Sequence, residues 1–486
     1  MELLNEKFRT VFNRNAAIVI AIVCFFAGVF FEQKLFFVIP FLIIATPFFF
    51  SGEIKLFFAI LFFSLPLSTE FSVTDSLSTD FPDELIMLFI TGLLVLQFII
   101  NPKSFPRSVL ESELFLIVFL QMVWMIVTVF FSHSPLLSTK YFLAKIWYIV
   151  PFVFGTLLFL QTSRDQSKAS RWLTLSIIIP IIITIIRHAS YGFTFESIAY
   201  VMYPFFRNHV TYSAMIVCLF PILFAWYYKT RGWVRILIVM LIVIFMIALF
   251  FAYSRGAWLC IIVGLLAWWA IRKKIIVAII YVSLFFTTVG ITWLITDDNY
   301  MKFAPDFDNT YFHTDFSSHM AATYKLKDIS TMERVYRWVA GVKMVKEEPL
   351  TGFGPNTFVG QYKNYAVAAF KTWVSDNKEK STVHNYFLLV TIEQGFPGLF
   401  LFLWLVIFMF RTSMKAYHTL DDIHDKMVAV LCGVILSMII TLNLLSDLIE
   451  TDKIGSLFFI ILGLLIHLEY KMRGVKKVQA ESESQQ

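Results

Sequence analysis

A histidine at the edge of an apolar run is the best candidate for proton transfer in this sequence. His384 stands in STVHNYFLLV, where a long polar segment gives way to hydrophobic sequence. Asn385 is a favourable N-cap for a helix that begins at Tyr386, so His384 precedes a helix N-terminus. The positive end of a helix lowers the pKa of an imidazole and favours the neutral form, which accepts a proton. A histidine that makes one interfacial hydrogen bond is the alternative.

Two arginines lie in short segments between apolar runs. Arg255 occurs in the tight turn YSRGAWL, and Arg207 occurs in FFRNHVTY. A guanidinium at membrane depth is costly and usually has a partner, and its fork of N–H groups matches a diphosphate. These arginines and a neutral histidine together favour a site for an anionic lipid head group. An arginine that reaches the interface from a helix end is the simpler alternative for Arg255.

A polar segment before His384 contains a predicted amphipathic helix, STMERVYRWVAGVKMVKEEP. Ser330 and Glu333 have the spacing of a capping box, and Pro349 ends the helix. Arg334 lies one turn before Trp338, so both side chains share a face. The following PLTGFGPNTF is a turn whose backbone amides can approach an anion. A surface helix followed by a tight loop explains the same pattern without a ligand.

The composition identifies the class of protein that must position these residues. Of the 486 residues, 58% are hydrophobic and 15% are charged, which a soluble domain of this length cannot bury. All four cysteines lie far apart in apolar runs, without the spacing of disulfides or zinc ligands. The chain is therefore predicted to be an all-α polytopic membrane protein with about 12–14 transmembrane helices and one large extracytoplasmic loop carrying short helices.

Fourteen apolar runs are candidate spans, and those near residues 35–67 are among the shortest. The predicted spans are 15–31, 35–50, 55–67, 84–100, 113–131, 140–160, 172–187, 210–228, 236–253, 257–271, 275–295, 385–410, 427–446 and 454–470. They divide the chain into N-terminal helices (1–200), helices with the outer arginine turn (201–295), the extracytoplasmic loop (296–384), C-terminal helices (385–470) and a tail (471–486).

Alternate connections between these spans differ in charge. One set is basic, for example RKK at 272–274, and the other includes the acidic segment STEFSVTDSLSTDFPDE. The positive-inside rule places both termini in the cytoplasm and the long loop outside. The net charge of +6 then reflects topology and gives no reason to expect nucleic acid as a partner.

The order, spacing and sidedness of three segments resemble the O-antigen ligase family and its relatives. The segments are YSRGAW, ERVYRWVAGVKMVKEEPLTGFGPNTF and VHNYFLLVTIEQGFPGL, within roughly residues 200–410. The resemblance implies a GT-C-like, metal-independent glycosyltransferase of the bacterial inner membrane with its active site facing the periplasm. Such enzymes transfer a glycan from undecaprenyl diphosphate to lipid A–core in the ligases, or to another lipid-linked repeat in the polymerases.

The resemblance also implies roles for particular residues. Arg255 and Arg334 correspond to the arginines that bind the diphosphate, and His384 to the residue that activates the acceptor hydroxyl. Further substrate contacts are expected from Arg337, Arg207, Lys145 and Trp338. No metal or other cofactor is expected, because two arginines can take the place of a cation at the leaving group.

Two other classes of protein remain open. A metal-dependent lipid-phosphosugar transferase would need outer acidic residues, for which the candidates are Asp75, Asp80, Asp83, Glu84 and the pair Asp306 and Asp308. A flippase or transporter would need internal repeats and ionisable groups near the bilayer midplane, and the sequence contains no evident repeat. Chelator sensitivity would favour the first of these classes.

Overall fold

A computed structural model describes residues 54–74, 77–102, 107–296, 299, 329–367 and 381–484. Helices form nearly all of these ranges, and eleven helices within them are long and apolar enough to cross a membrane. A shorter apolar helix, Lys55–Leu67, coincides with the predicted span at 55–67. The predicted class, an all-α polytopic membrane protein, is confirmed. The first two predicted spans, 15–31 and 35–50, lie outside the described residues.

The helices of the first half alternate with short connections. In chain order they are α1 (Ile54–Ser64), α2 (Asp83–Ile100), α3 (Arg107–Leu110), α4 (Glu113–Phe130), α5 (Pro135–Ile149), α6 (Gly155–Phe159), α7 (Ser163–Ser176), α8 (Ile178–Ser190), α9 (Ile198–Val201) and α10 (His209–Lys229). A π-helical turn, Val150–Phe154, joins α5 to α6 into one span, and an antiparallel hairpin of β1 (Thr69–Thr74) and β2 (Leu77–Phe81) precedes α2.

The second half contains the longest helices. They are α11 (Gly232–Phe251), α12 (Arg255–Arg272), α13 (Ile276–Ile295), α14 (Ile329–Glu347), α15 (Phe358–Gln361), α16 (Tyr386–Thr419), α17 (Ile423–Leu442) and α18 (Asp452–Ser484). The spans of α17 and α18 are largely buried, and α12 and α16 pack directly against α17. Most of α11 and α13 is exposed and apolar, as expected of surface that faces lipid.

Contacts between distant connections define two ends of the bundle. At one end, here called the site end, Arg207 pairs with Glu70 (2.9 Å), and the His133 amide donates to the Phe353 carbonyl (3.0 Å). At the other, here called the opposite end, Lys471 pairs with Asp425 (2.8 Å). The acidic connections and the long loop thus share the site end, which agrees with the grouping predicted from charge.

A break in α16 near the site end receives the loop after α14. Gly395 has a φ of +68°, and a Cβ atom there would collide with the Leu350 carbonyl, so only glycine fits. The Phe353 amide donates to the Ile392 carbonyl (2.9 Å), and the Phe396 amide donates to the Pro349 carbonyl (2.9 Å). The loop therefore satisfies backbone groups that the break releases, as the membrane interior requires.

Candidate active site at one end of the bundle

His384 lies in a constrained turn at the site end. Its φ is +53°, in the left-handed region that few residues except glycine adopt. Asn385 caps α16 as predicted, because its Oδ1 accepts a hydrogen bond from the Leu388 amide (3.0 Å). The Asn385 side chain also donates to the Leu444 carbonyl (3.1 Å), which ties the turn to the end of α17. Strained backbone that its surroundings hold in place is common at functional sites.

Helix α14 packs its polar face against this turn. Trp338 donates from Nε1 to the Val383 carbonyl (2.9 Å), and Arg337 donates to the Thr382 carbonyl (3.5 Å). Arg337 is buried and pairs with Glu333 (3.3 Å), one turn earlier on the helix. The predicted capping box is therefore wrong: α14 already includes Ile329, and the Glu333 carboxylate binds Arg337. The predicted helix itself is confirmed as α14, and its position beside the histidine is a finding of the structure.

The surroundings of His384 keep its imidazole neutral. Burial, and then the positive charges of Arg337 and Arg334, lower the pKa of His384 from 6.5 to about 3. About one third of the side chain (32%) remains exposed, so an acceptor can reach the ring. The predicted shift thus has the correct direction, with burial as its largest cause and the neighbouring arginines next.

Asp447, which the sequence did not single out, faces the same imidazole. It lies after α17, and its Oδ1 is 3.9 Å from His384 Nδ1. Thr382 donates from Oγ1 to Asp447 Oδ2 (2.6 Å) and accepts a bond from the His384 amide (3.4 Å). Burial raises the pKa of Asp447. The arrangement directs Nδ1 toward the Asp447 carboxyl group and leaves Nε2 on the other side of the ring.

Arg255 and Arg334 both lie half-buried at the site end. Arg255 is the first residue of α12, two residues after Tyr253, whose φ of +52° is also left-handed. The next residue, Gly256, approaches Leu442 at the end of α17, close to the segment that carries Asp447. Arg334 is near enough to His384 to lower the pKa of its imidazole. The cations of α14 therefore lie in the region of the histidine, and Arg255 lies at the same end of the bundle.

Two of the predicted substrate-binding residues, Arg207 and Lys145, contact acidic side chains. Arg207 is well exposed (64%) and pairs with Glu70 of the β-hairpin. Lys145 is buried in α5 and pairs with Glu450 (2.9 Å), which also accepts a bond from Tyr141 (2.7 Å). Since Glu450 follows Asp447 by three residues, Lys145 helps to fix the segment that faces His384.

The turn in PLTGFGPNTF binds a buried carboxyl group that belongs to the protein itself. Glu393 is buried in α16, and its Oε1 accepts a hydrogen bond from the Phe358 amide (3.3 Å). The amides of Asn356 and Thr357 face the same carboxylate. The approach of these amides to an anionic ligand stays a prediction, and their contact with Glu393 was not evident from the sequence.

The acidic residues proposed as metal ligands occupy a separate place at the site end. Asp83 is fully buried at the start of α2, near Asp452 and Lys453 at the start of α18. Lys453 donates to the Ser68 carbonyl (3.0 Å) and lies 3.5 Å from Asp452. Among the described residues, no group of three or more His, Cys, Asp or Glu side chains is arranged to hold a metal ion. Asp75, Asp306 and Asp308 lie outside those residues.

The fold and the site define a multi-pass membrane protein with a polar, cation-rich centre at one end of a helical bundle. Residues 240–403 match the family model described as O-antigen ligase. The matched segment contains Arg255, Arg334, Arg337, Trp338 and His384. Proteins of this family are glycosyltransferase-like enzymes that act on lipid-linked glycans and acceptors in bacterial membranes. No curated protein matches the chain.

Proposed function

We propose that this protein transfers a glycan from undecaprenyl diphosphate to a hydroxyl of lipid A–core at the outer face of the bacterial inner membrane. The observation that carries the proposal is the neutral imidazole of His384, held beside Arg334 and Arg337 and partly open to solvent. A neutral imidazole can accept the proton of an acceptor hydroxyl, and nearby guanidiniums can stabilise the charge on a departing diphosphate.

Each side chain has a defined task in this mechanism. Arg255 and Arg334 bind the diphosphate and stabilise the negative charge that grows as the bond to the anomeric carbon breaks. His384 accepts the proton of the acceptor hydroxyl as the new glycosidic bond forms. Asp447 orients the imidazole through Nδ1, so that Nε2 faces the acceptor. Trp338 and Arg337 hold the turn in place, and Arg337 also suppresses protonation of the imidazole.

Transfer by the purified protein is the direct test. We expect glycan to move from an undecaprenyl-diphosphate donor to lipid A–core, and we expect the rate to survive strong chelation, because guanidiniums replace a metal at the leaving group. Loss of transfer on chelation, with recovery on addition of Mg²⁺ or Mn²⁺, would favour the acidic residues near Asp80 instead. This outcome would reject the metal-free mechanism even if the substrates are correct.

A polymerase that joins lipid-linked repeat units is the second candidate, since both reactions use the same site chemistry. Deletion of the gene separates the two functions when the lipopolysaccharide is analysed on a gel. Loss of all polymer from lipid A–core indicates a ligase, whereas a core that carries one repeat indicates a polymerase.

The side of the membrane on which the site end lies can be tested separately. A cysteine introduced at Lys363, at the site end, should react with an impermeant thiol reagent from the periplasm. A cysteine at Lys273, in the turn between α12 and α13, should be protected. The reverse labelling pattern would place the site end in the cytoplasm and exclude a periplasmic transferase.

A further inference from the structure

An elongated cavity opens at the opposite end of the bundle, far from His384. Its volume is about 130 Å³, and it lies between α7, α10, α17 and α18. Along α10 the lining extends from Lys229 back to Leu219, a distance of about 15 Å at the rise of an α-helix. A cavity of similar volume, lined by apolar side chains, binds benzene in another protein. The space therefore suits part of a hydrocarbon chain.

Polar residues line this cavity only near the helix ends. Lys229 ends α10 and donates from Nζ to His424 Nδ1 (2.9 Å), and His424 Nε2 in turn bonds to Gln166 Oε1 (2.8 Å). His424 and Gln166 are both buried, so this rim is a fixed structure. Deeper in the cavity the lining is apolar and includes Leu431 and Ile461. A cavity with a polar mouth and an apolar interior suits an amphiphilic molecule that inserts one hydrocarbon chain.

The charge at the mouth indicates which head group fits. Within the described residues, Lys229 forms no ion pair with a carboxylate, although Asp422 lies near it. Arg171 donates from Nε to the carbonyl of Ser167, a lining residue, and Lys168 is exposed beside it. Nearby Asp425 is already neutralised by Lys471 (2.8 Å). Lys229, Lys168 and Arg171 thus supply positive charge at or near the mouth, at the level of lipid head groups.

We infer that this cavity binds an anionic phospholipid of the adjoining leaflet, with one acyl chain between α10 and α17 and its phosphate at Lys229. The site is separate from the proposed transfer reaction and does not depend on it. An ammonium that already binds a neutral imidazole still has two N–H groups for phosphate oxygens. The lipid would fill a void between four helices and so stabilise the folded bundle by mass action.

Native mass spectrometry of the full-length protein in detergent tests the inference, with phosphatidylglycerol and phosphatidylcholine as probes. We expect the protein to retain phosphatidylglycerol in preference. Lys229→Gln should weaken retention about five-fold, as expected for one lysine near an anionic lipid (about 1 kcal/mol). Lys273→Gln, at the same end but outside the cavity, should have no effect. Equal retention of both lipids, or equal effects of the two substitutions, would reject an anionic head-group site.

A second pair of variants tests the channel itself. Leu431→Trp fills the cavity and should abolish retention of phosphatidylglycerol, whereas Ile262→Trp on the exposed face of α12 should not. A photoreactive residue at position 431 then identifies the occupant. Crosslinks to phospholipid support the inference, and crosslinks to another segment of the chain, such as residues 15–50, would overturn it because the protein would fill its own cavity.

Discussion

Two clusters of charged side chains lie at the same end of the bundle, yet they are built in opposite ways. Around Lys453, the ammonium group, Asp452 and Ser68 are all buried and bound to one another. Around His384, two guanidiniums lie near a neutral imidazole that is one third exposed, and the backbone is in a left-handed conformation. The first cluster is closed to solvent and bound within itself, whereas the second keeps a partly exposed imidazole that a substrate can reach.

We therefore call the residues around Lys453 the architectural cluster, because they hold helices in place. The residues around His384 form the chemical cluster, because they are proposed to act on substrate. Buried ion pairs that are fully hydrogen-bonded fix the positions of helices, and removal of one partner leaves a costly buried charge. Cations that surround a neutral base instead create an electrostatic field in advance of the substrate. Substitutions in the two clusters should therefore affect different properties, namely transfer at His384 and stability at Lys453.

The largest effect on transfer is expected from loss of the imidazole. His384→Asn should reduce kcat by about 10²–10⁴-fold, the usual contribution of a general base. Asparagine tolerates a left-handed backbone better than alanine does, so this variant removes the base and retains the turn. Thermal unfolding and donor binding, measured on the same preparation, should remain close to wild type. If turnover at equal expression stayed near wild type, His384 would have only a structural role at the membrane interface.

The next effect concerns the diphosphate. Arg255→Ala and Arg334→Ala should each reduce kcat/KM by about 10²–10³-fold, because a fixed cation at the leaving group is lost. Lysine at either position should restore only part of this loss, since a single ammonium lacks the bidentate fork. Donor affinity, measured by competition with undecaprenyl diphosphate, should fall together with turnover. Full recovery by lysine would mean that charge alone is required at that position.

A smaller, pH-dependent effect is expected at Arg337. Because the pKa of His384 is lowered to about 3, the neutral base persists above that pH, and kcat/KM should show no acidic limb near 6.5 in the wild type. Removal of a neighbouring positive charge raises an imidazole pKa. In Arg337→Gln the pKa of His384 should therefore rise, and an acidic limb should appear at a higher pH. Identical pH profiles for the two proteins would contradict the electrostatic role of Arg337.

The smallest effect on transfer, and the largest on stability, is expected from the architectural cluster. Lys453→Met leaves Asp452 without its ammonium partner and should lower the free energy of unfolding by about 3–5 kcal/mol. The kcat per folded molecule should stay near wild type at permissive temperature. Lys273→Met, at an exposed position, is the matched control and should leave the unfolding temperature unchanged. A loss of turnover in Lys453→Met without a loss of stability would break the distinction between the clusters.

The sequence by itself determined the class of protein, the spans and the grouping of connections at two ends. Hydropathy and charge are local properties, and the membrane converts them directly into helices and sidedness. The N-cap at Asn385 and the amphipathic helix that carries Arg334 were predictable for the same reason, since short-range periodicity and capping specify them. The family resemblance rested on these same segments and named the residues of the proposed site.

Only the tertiary structure decided which side chains meet across the bundle. Asp447 faces His384 because α16 and α17 bring their ends together, and no local pattern connects those two residues. Glu393 occupies the amides after Pro355 because the break at Gly395 admits the loop there. Lys145 binds Glu450, although its position in the sequence suggested a phosphate contact. Such contacts depend on how whole helices pack. A single sequence does not indicate which residues distant in the chain will be in contact.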